Sequence, residues 1–542
     1  MRRGVPAALV LLALLLFAGC APAPPPGSRP AAGLPGYGGR FVYPLRGEPH
    51  GLNFVSDGDV LSSQVETLVG DSLVDLDVHL KVVPRLASSW ETSTDGRTLT
   101  FHLRPGVRFH DGVPLTSADV LYTYERLIDP KSRAIGRLDG FLPIEKVLAP
   151  DPLTVKVLYR SAYAPALIAW DVPILPRHLY EKEEFLSSPH NRAPIGSGPF
   201  LFSSWEPGQR IVLRANPDYW GGRPRLDTIV FQIIPSQETT LQALLAGEID
   251  WSTLTPMQGQ AQATGAAFER RFRILRCEAL WFYYIAFRGD GSNPFFADPV
   301  VRRAVSLALD RAGYVRSILH GLGRPASSPF HPAVGGGDPD LPALPYDPGT
   351  AASLLDAAGW RIDRASGLRA RGGTPFRFTL LVFGGEPAQT QFSQVAQESL
   401  RRLGIEMAIE KLDWPTLWSR LQKGEYQAAF SGISPGADPD ALFSMFHSSQ
   451  IKGGQNYAAF RDASIDAWFE AARRTLEERE RRALYQRIDR RLAELQPYAF
   501  LFIPTLQGAL SRRIGNAEIS PRGLLSFYPG GAALYAEDGD GS

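Results

Sequence analysis

Gly432-Ile433-Ser434-Pro435-Gly436 has the G-x-S-x-G spacing of a nucleophile elbow, in which a sharp turn after a strand lifts a serine hydroxyl toward an acyl group. That chemistry takes part of its oxyanion hole from the N–H of the residue after the serine. Here that residue is Pro435, which has none, so the string reads as a turn. Gly321, Gly323 and Ala326 imitate a dinucleotide fingerprint, but they follow a helical pattern instead of a strand, and Pro325 breaks the helix that should come next. His102 and His110 stand at even spacing in strand-like sequence and could share a face. Without a Cys or carboxylate cluster they make a poor metal site and read as surface or cross-strand histidines. The acidic end, Glu537 to Ser542, begins like a calcium loop and stops before the remaining ligands. No phosphate-binding loop and no H-E-x-x-H string occurs. The balance points to binding: no catalytic residue, no metal and no cofactor is expected.

One residue does invite covalent chemistry. Arg2 and Arg3 precede an apolar run from Val5 to Phe17, which has the charge and length of an export signal. The run ends in Leu16-Phe17-Ala18-Gly19-Cys20, small residues before a cysteine, as in the bacterial lipoprotein box. Cys20 is therefore the expected lipidation site, residues 1–19 the leader, and the mature protein an extracytoplasmic lipoprotein held at a membrane. The chain has 2 Cys, so a lipidated Cys20 leaves Cys277 without an intramolecular partner. Residues 20–39, rich in Pro and Gly with no periodic apolar face, read as a tether.

The elements behind these residues mix both periodicities. The 542 residues are 44% hydrophobic and 21% charged, which excludes a disordered or multi-span membrane chain. The formal charge of +1 excludes a basic nucleic-acid field. Strands are predicted from Arg40, over Leu99–Arg104 continuing through Val107–Gly112, over Ile211–Arg214 and from Thr228. A capping box at Thr116 and Asp119 predicts a helix. Gly247 should end another, and Asp298-Pro299 should open one that runs to Gly321. Ile465, Trp468, Phe469 and Ala472 form an apolar helix face, and Thr475 with Glu478 should cap the next helix. There is no repeat, and the class is α/β in more than one lobe.

Five segments, in order, resemble the bacterial extracellular solute-binding proteins of family 5, which serve ABC importers of peptides, oligopeptides and nickel. They are residues 84–120, with Trp90, Asp95-Gly96, Phe101, Arg104, Phe109 and Asp111-Gly112; Gly196 to Phe200 with Asn216, Tyr219 and Trp220; Leu245 to Asp250; Asp298 to Arg311; and Ala437 to Asp440. Most of these are scaffold positions. The resemblance implies a type II periplasmic-binding-protein-like α/β fold: two lobes around a hinged cleft, with a smaller domain inserted in lobe I. Lobe I would comprise residues 40–70, 191–283 and 500–535, the small domain 71–190, lobe II 284–499, and a disordered tail 536–542.

It also implies a monomer that captures a di- or oligopeptide and delivers it to the permease. Ligand contacts carried over by position are Glu48 and His50 after the first strand, Thr253 after the Leu245–Asp250 motif, Trp281 and Tyr284 entering lobe II, and Phe500 near the chain end. Peptide-binding relatives often place a Trp and then an Asp, which pairs with the peptide amine, near Ser431 to Asp440. Ungapped, those positions fall on Ile433 and Gly436; with a two-residue shift Asp438 is the anchor, with Glu48 as the other candidate carboxylate. The family's usual Asn at the end of the lobe II strand is Arg288 here. Aromatic residues without an anchoring carboxylate, such as Trp281, Tyr284, Trp414 and Trp418, would favour an oligosaccharide, and a metal chelate is the other ligand alternative. A secreted hydrolase and a signalling receptor are the rival functions.

Overall fold

The computed structural model describes residues 37–537 other than residues 58, 135 and 136. The expected leader, Cys20, most of the expected tether and residues 538–542 lie outside the described residues. Strand β1 (Arg40–Leu45) comes first and is buried along its length after Arg40.

A four-stranded antiparallel sheet follows, built from β2 (Ala87–Thr92), β3 (Thr98–Leu103), β4 (Ile144–Asp151) and β5 (Thr154–Tyr159) in the order β2-β3-β5-β4. Leu99, Phe101 and Leu103 alternate inward, the period of a half-buried strand. Helix α1 (Ser117–Ile128) opens with the expected capping box, in which Thr116 N–H donates to Asp119 Oδ2 at 2.8 Å. The strand pattern does not continue to Gly112. Gly106, at φ +79°, turns the chain away, and a single bridge between Arg108 and Pro114 remains. His110 is held between Gly198 O and Gly196 N–H at 3.0 and 3.3 Å, whereas His102 lies near Glu91, so the two imidazoles do not share a face.

β6 (Phe200–Glu206), β7 (Arg210–Ala215) and β8 (Thr228–Ile233) complete a sheet ordered β1-β8-β7-β6, with β1 parallel to β8. One apolar cluster joins Phe41, Leu213 and Phe231 of this sheet to Phe101, Val155 and Trp170 around the smaller one. The inserted sheet thus extends the core of lobe I. Helix α2 (Gln237–Ala246) stops at Gly247, whose φ of +80° closes the helix end.

β9 (Trp251–Thr253), β10 (Phe272–Glu278) and β11 (Phe282–Phe287) lead across to the second lobe. There, α3 (Pro299–Leu307) starts at Asp298, which accepts from Val300 N–H at 2.8 Å. The single helix expected up to Gly321 is split: Asp310 accepts from Gly313 N–H at 2.7 Å and starts α4 (Arg311–Ser317). β12 (Gly323–Pro325), β13 (Arg377–Phe383), α5 (Pro387–Arg402), β14 (Glu406–Leu412), α6 (Trp414–Lys423) and β15 (Ala428–Ile433) follow, with β13 parallel to both β14 and β15. α7 (Ala463–Arg474) buries Ile465, Phe469 and Ala472. α8 (Glu478–Leu495) is capped by Glu477, which accepts from Glu480 N–H. Thr475, expected as the cap, bonds back to Ala471 O with its hydroxyl.

The last long strand, β16 (Tyr498–Ser511), belongs to both lobes. Tyr498 to Phe502 pair with β11, and Thr505 to Ser511 pair with β10, where β9 also joins. The other crossing is Ala279 to Trp281, beside it: Ala279 N–H donates to Pro504 O at 2.9 Å. β12 braces the crossing by pairing with Phe502 to Pro504. The expected boundaries at 283 and 500 therefore move, because Phe282, Phe500 and Ile503 pack in the second lobe's core. At the end, Tyr535–Ala536 pairs with Ile514–Gly515, so Ala536, expected to start the tail, is still in a ladder.

Candidate functional site: the interlobe cleft

In an open α/β sheet the crevice for ligands lies outside the carboxyl ends of the parallel strands. In the second lobe that edge carries the ends of β13, β14 and β15 and the starts of α5 and α6. β11 runs antiparallel to β15, Phe282 opposite Ile433, so its first residue and Trp281 just before it stand at the same edge, at the crossing. In lobe I the parallel strands β1 and β8 end together, Leu45 opposite Ile233. Asp250 N–H donates to Val42 O, which sets β9 alongside β1 and brings Thr253 to the same end. The two carboxyl edges thus face each other across the hinge.

The lobe I wall is polar. Thr253 O accepts from Gln237 Nε2 at 2.5 Å, and Gln258 closes a capping box on Thr255. Arg46, exposed, follows β1 and makes no ion pair among the described residues. Glu48 is engaged: Trp205 Nε1 and Gly208 N–H donate to its two oxygens at 2.6 and 2.7 Å, and Arg192 stacks over the Trp205 ring at 4.0 Å. His50 is exposed and lines a second hollow with Asp57, Arg133 and Asn191, between lobe I and its inserted portion.

On the other wall, Asp438 is also engaged. It accepts from Arg481 Nη2 and Nη1 at 2.6 and 3.0 Å and caps the following turn by accepting from Asp440 N–H at 2.8 Å. Asp440 pairs with Arg473 at 2.9 Å, and burial raises its pKa against the pull of that guanidinium. Arg473 lies over the Phe443 ring at 3.4 Å and reaches toward Tyr163 of the inserted portion. Leu76 and Leu80 of that portion form a small apolar cluster with Leu280 at the hinge, packed by Val334 and Ala437. One flank of the cleft is therefore closed by direct contact.

Of the aromatic contacts expected from sequence, Trp281 is half-buried at the hinge. Tyr284 and Phe500 do not reach the cleft. They are 2% and 0% exposed and pack among Tyr498, Phe282 and Phe446 in the core. Trp414 is 43% exposed at the start of α6, stacked on Trp418 at 5.9 Å and edge-on to Phe383. Ser434 is exposed in the loop after β15, with no helix directly following it, so the elbow geometry is absent there.

Residues 81–454 match the family described as bacterial extracellular solute-binding proteins, family 5 Middle. The chain belongs to this family. Its fold is the family's type II periplasmic-binding arrangement. This family 5 protein is 31% identical to the oligopeptide-binding protein AppA of Bacillus subtilis, over 91% of this chain and 92% of that protein. The structure of that AppA in complex with a nonapeptide matches with a TM-score of 0.79 at 29% identity, covering 93% of this chain and 100% of that one. A di/tripeptide-binding protein of Pseudomonas aeruginosa is 28% identical over 82% of this chain and 86% of its own length. The ABC transporter substrate-binding protein CtaP of Listeria monocytogenes shares the fold, with a TM-score of 0.81 at 24% identity over 93% and 100% of the two chains. No helix among the described residues is long and apolar enough to cross a membrane.

Proposed function

We propose that this family 5 protein is the capture component of an ABC importer, binding a di- or oligopeptide between its lobes and presenting it to the permease. It is a receptor in this reading, not an enzyme, acting as a monomer held by a lipid on Cys20 outside the cytoplasmic membrane. The observation that carries the peptide assignment is the likeness over both full lengths to an oligopeptide-binding protein solved with a nonapeptide. The geometry supports it. Two adjacent crossings leave the lobes free to hinge, the motion that would bury a ligand between them. Ligand contact is assigned to the segment that directly follows β1, to Thr253 and to Trp281.

The test is a calorimetric titration of the purified protein with tetraalanine, maltotetraose and nickel–histidine. Saturable 1:1 binding of the peptide alone supports the reading. Binding of the sugar or the chelate alone overturns the peptide assignment and keeps the receptor. A Cys20→Ser protein that remains in the membrane fraction overturns the lipid anchor.

A further inference from the structure

In a hinged receptor the affinity for a ligand has two parts: the contacts the ligand makes, and the contacts the lobes make with each other on closing. Lobe-to-lobe contacts away from the crossings therefore set how readily the cleft closes. The inserted portion of lobe I makes such contacts. Beside the hinge, its Leu76 and Leu80 pack with Leu280. A second meeting point lies farther out, where the turn between β2 and β3 and the segment after β5 meet the end of α7.

Three observations single out this second point. The first is Leu476, in the turn between α7 and α8. It is 43% exposed and belongs to neither apolar cluster of the second lobe, so packing within its own lobe does not account for it. The second is the notch it occupies. Gly96 closes the β2–β3 turn at φ +66°, its N–H donating to Ser93 O at 2.8 Å. Asp95 braces that turn by accepting from Ser93 Oγ and Arg97 N–H at 2.6 and 3.0 Å. A Cβ on Gly96 would lie 2.7 Å from Leu476 Cδ1 and 3.1 Å from Ala162 Cβ. Glycine thus serves the turn twice, by its backbone angle and by the bare face that admits Leu476 beside Ala162. The third is Arg473, at the end of α7. Its Nε donates to both oxygens of Asp440 at 2.9 and 3.0 Å, and the guanidinium so held stands 6.0 Å from the centre of the Tyr163 ring, within reach of a cation–π attraction. Tyr163 is fixed in the core of lobe I against Tyr159. Each side of the contact is therefore braced within its own lobe, and none of these residues lies in the segments assigned to the ligand.

We infer that the inserted portion of lobe I is a closure latch: Leu476 seats between Gly96 and Ala162, with Arg473 against Tyr163, and this contact holds the lobes together at a place the ligand does not touch. The inference rests on the hinged peptide receptor proposed above. A latch outside the cleft favours the closed state equally for every ligand that closes it, so its removal weakens all of them by one common factor.

The experiment compares the wild-type and Leu476→Ala proteins by calorimetric titration with tetraalanine and with tetraserine, and by small-angle X-ray scattering of each protein alone. Leu476 lies outside the apolar clusters of its lobe, so the truncation spares the core. Ala162→Glu, which puts a charge into the notch from the other side, repeats the test. The expected result is an affinity about threefold to tenfold weaker, by the same factor for both peptides, with a larger radius of gyration in both variants. Unchanged affinity, a loss confined to one peptide, or a radius equal to that of the wild type overturns the latch. A wild-type protein that binds neither peptide overturns the peptide reading itself, and the scattering comparison then decides the latch on its own.

Discussion

Replacing Asp438 by Asn separates a structural carboxylate from a ligand anchor. Asp438 and Arg481 are joined by two hydrogen bonds of 2.6 and 3.0 Å, with side-chain exposures of 20% and 15%. Arg481 also donates to the Tyr485 hydroxyl at 3.1 Å. Removing one charge from a fully buried pair costs about 3–5 kcal/mol, mostly because the other charge stays behind unpaired. Both side chains here keep some contact with water, and Asn retains an acceptor for Asp440 N–H. The expected cost is accordingly about 2 kcal/mol. Urea unfolding reads that loss as a lower midpoint, and calorimetry with tetraalanine reads the affinity. The expected outcome is a lowered midpoint with affinity changed less than about threefold. An unchanged midpoint together with a tenfold weaker affinity, worth about 1.4 kcal/mol, would refute the structural assignment and return Asp438 to the ligand.

Further outcomes follow from the same physics. Asp489 is buried in α8, accepts from Asp338 N–H at 2.7 Å, and burial raises its pKa to about 6. A carboxyl whose folded pKa is raised binds its proton more tightly when folded, so stability falls as pH rises from about 4 to about 6. Asp489→Asn should stabilise the protein above pH 6, by at most about 3 kcal/mol, and the gain should vanish below pH 4 in urea unfolding followed across that range. Arg85 lies between Asp71 and Asp75, at 2.6 and 2.5 Å, and Trp220 Nε1 also donates to Asp71. Arg85→Gln leaves two buried carboxylates facing each other and should cost about 3–5 kcal/mol, read as a large fall in melting temperature; a fall of under 2 °C would contradict it. Gly508 in β16 lies against the Trp251 ring, which a Cβ there would strike. Gly508→Ala should cost about 1–3 kcal/mol and change tryptophan fluorescence, and a protein unchanged in both would show that the close approach is not required.

What could be read from the chain tracks how local the determining interactions are. The Thr116–Asp119 box and the Gly247 stop are settled within one turn of helix, so residue type and spacing reveal them. The split between α3 and α4 depends on Asp310, also a local cap, but the apolar spacing from Val301 to Leu309 masks it. The Thr475 cap fails because Glu477 offers an acceptor two residues on. The engaged states of Glu48 and Asp438 depend on partners 157 and 43 residues away, which no window along the chain contains. Tyr284 and Phe500 are carried over by position from the family resemblance, and nothing in the sequence corrects that transfer, because a central strand buried on both faces has the same composition as a ligand-lining one. β16 passes between lobes without a break in its strand pattern, so its change of partners leaves no mark in the sequence.

In the proposed function a peptide is held between the two carboxyl edges. Hydrogen–deuterium exchange of the purified protein with and without saturating tetraalanine tests it directly. Concurrent protection is expected in residues 45–50 and 253–258 of lobe I, in 281–283 at the hinge, and in 383–390 of the second lobe. Protection confined to one lobe, or centred away from these segments, would contradict it.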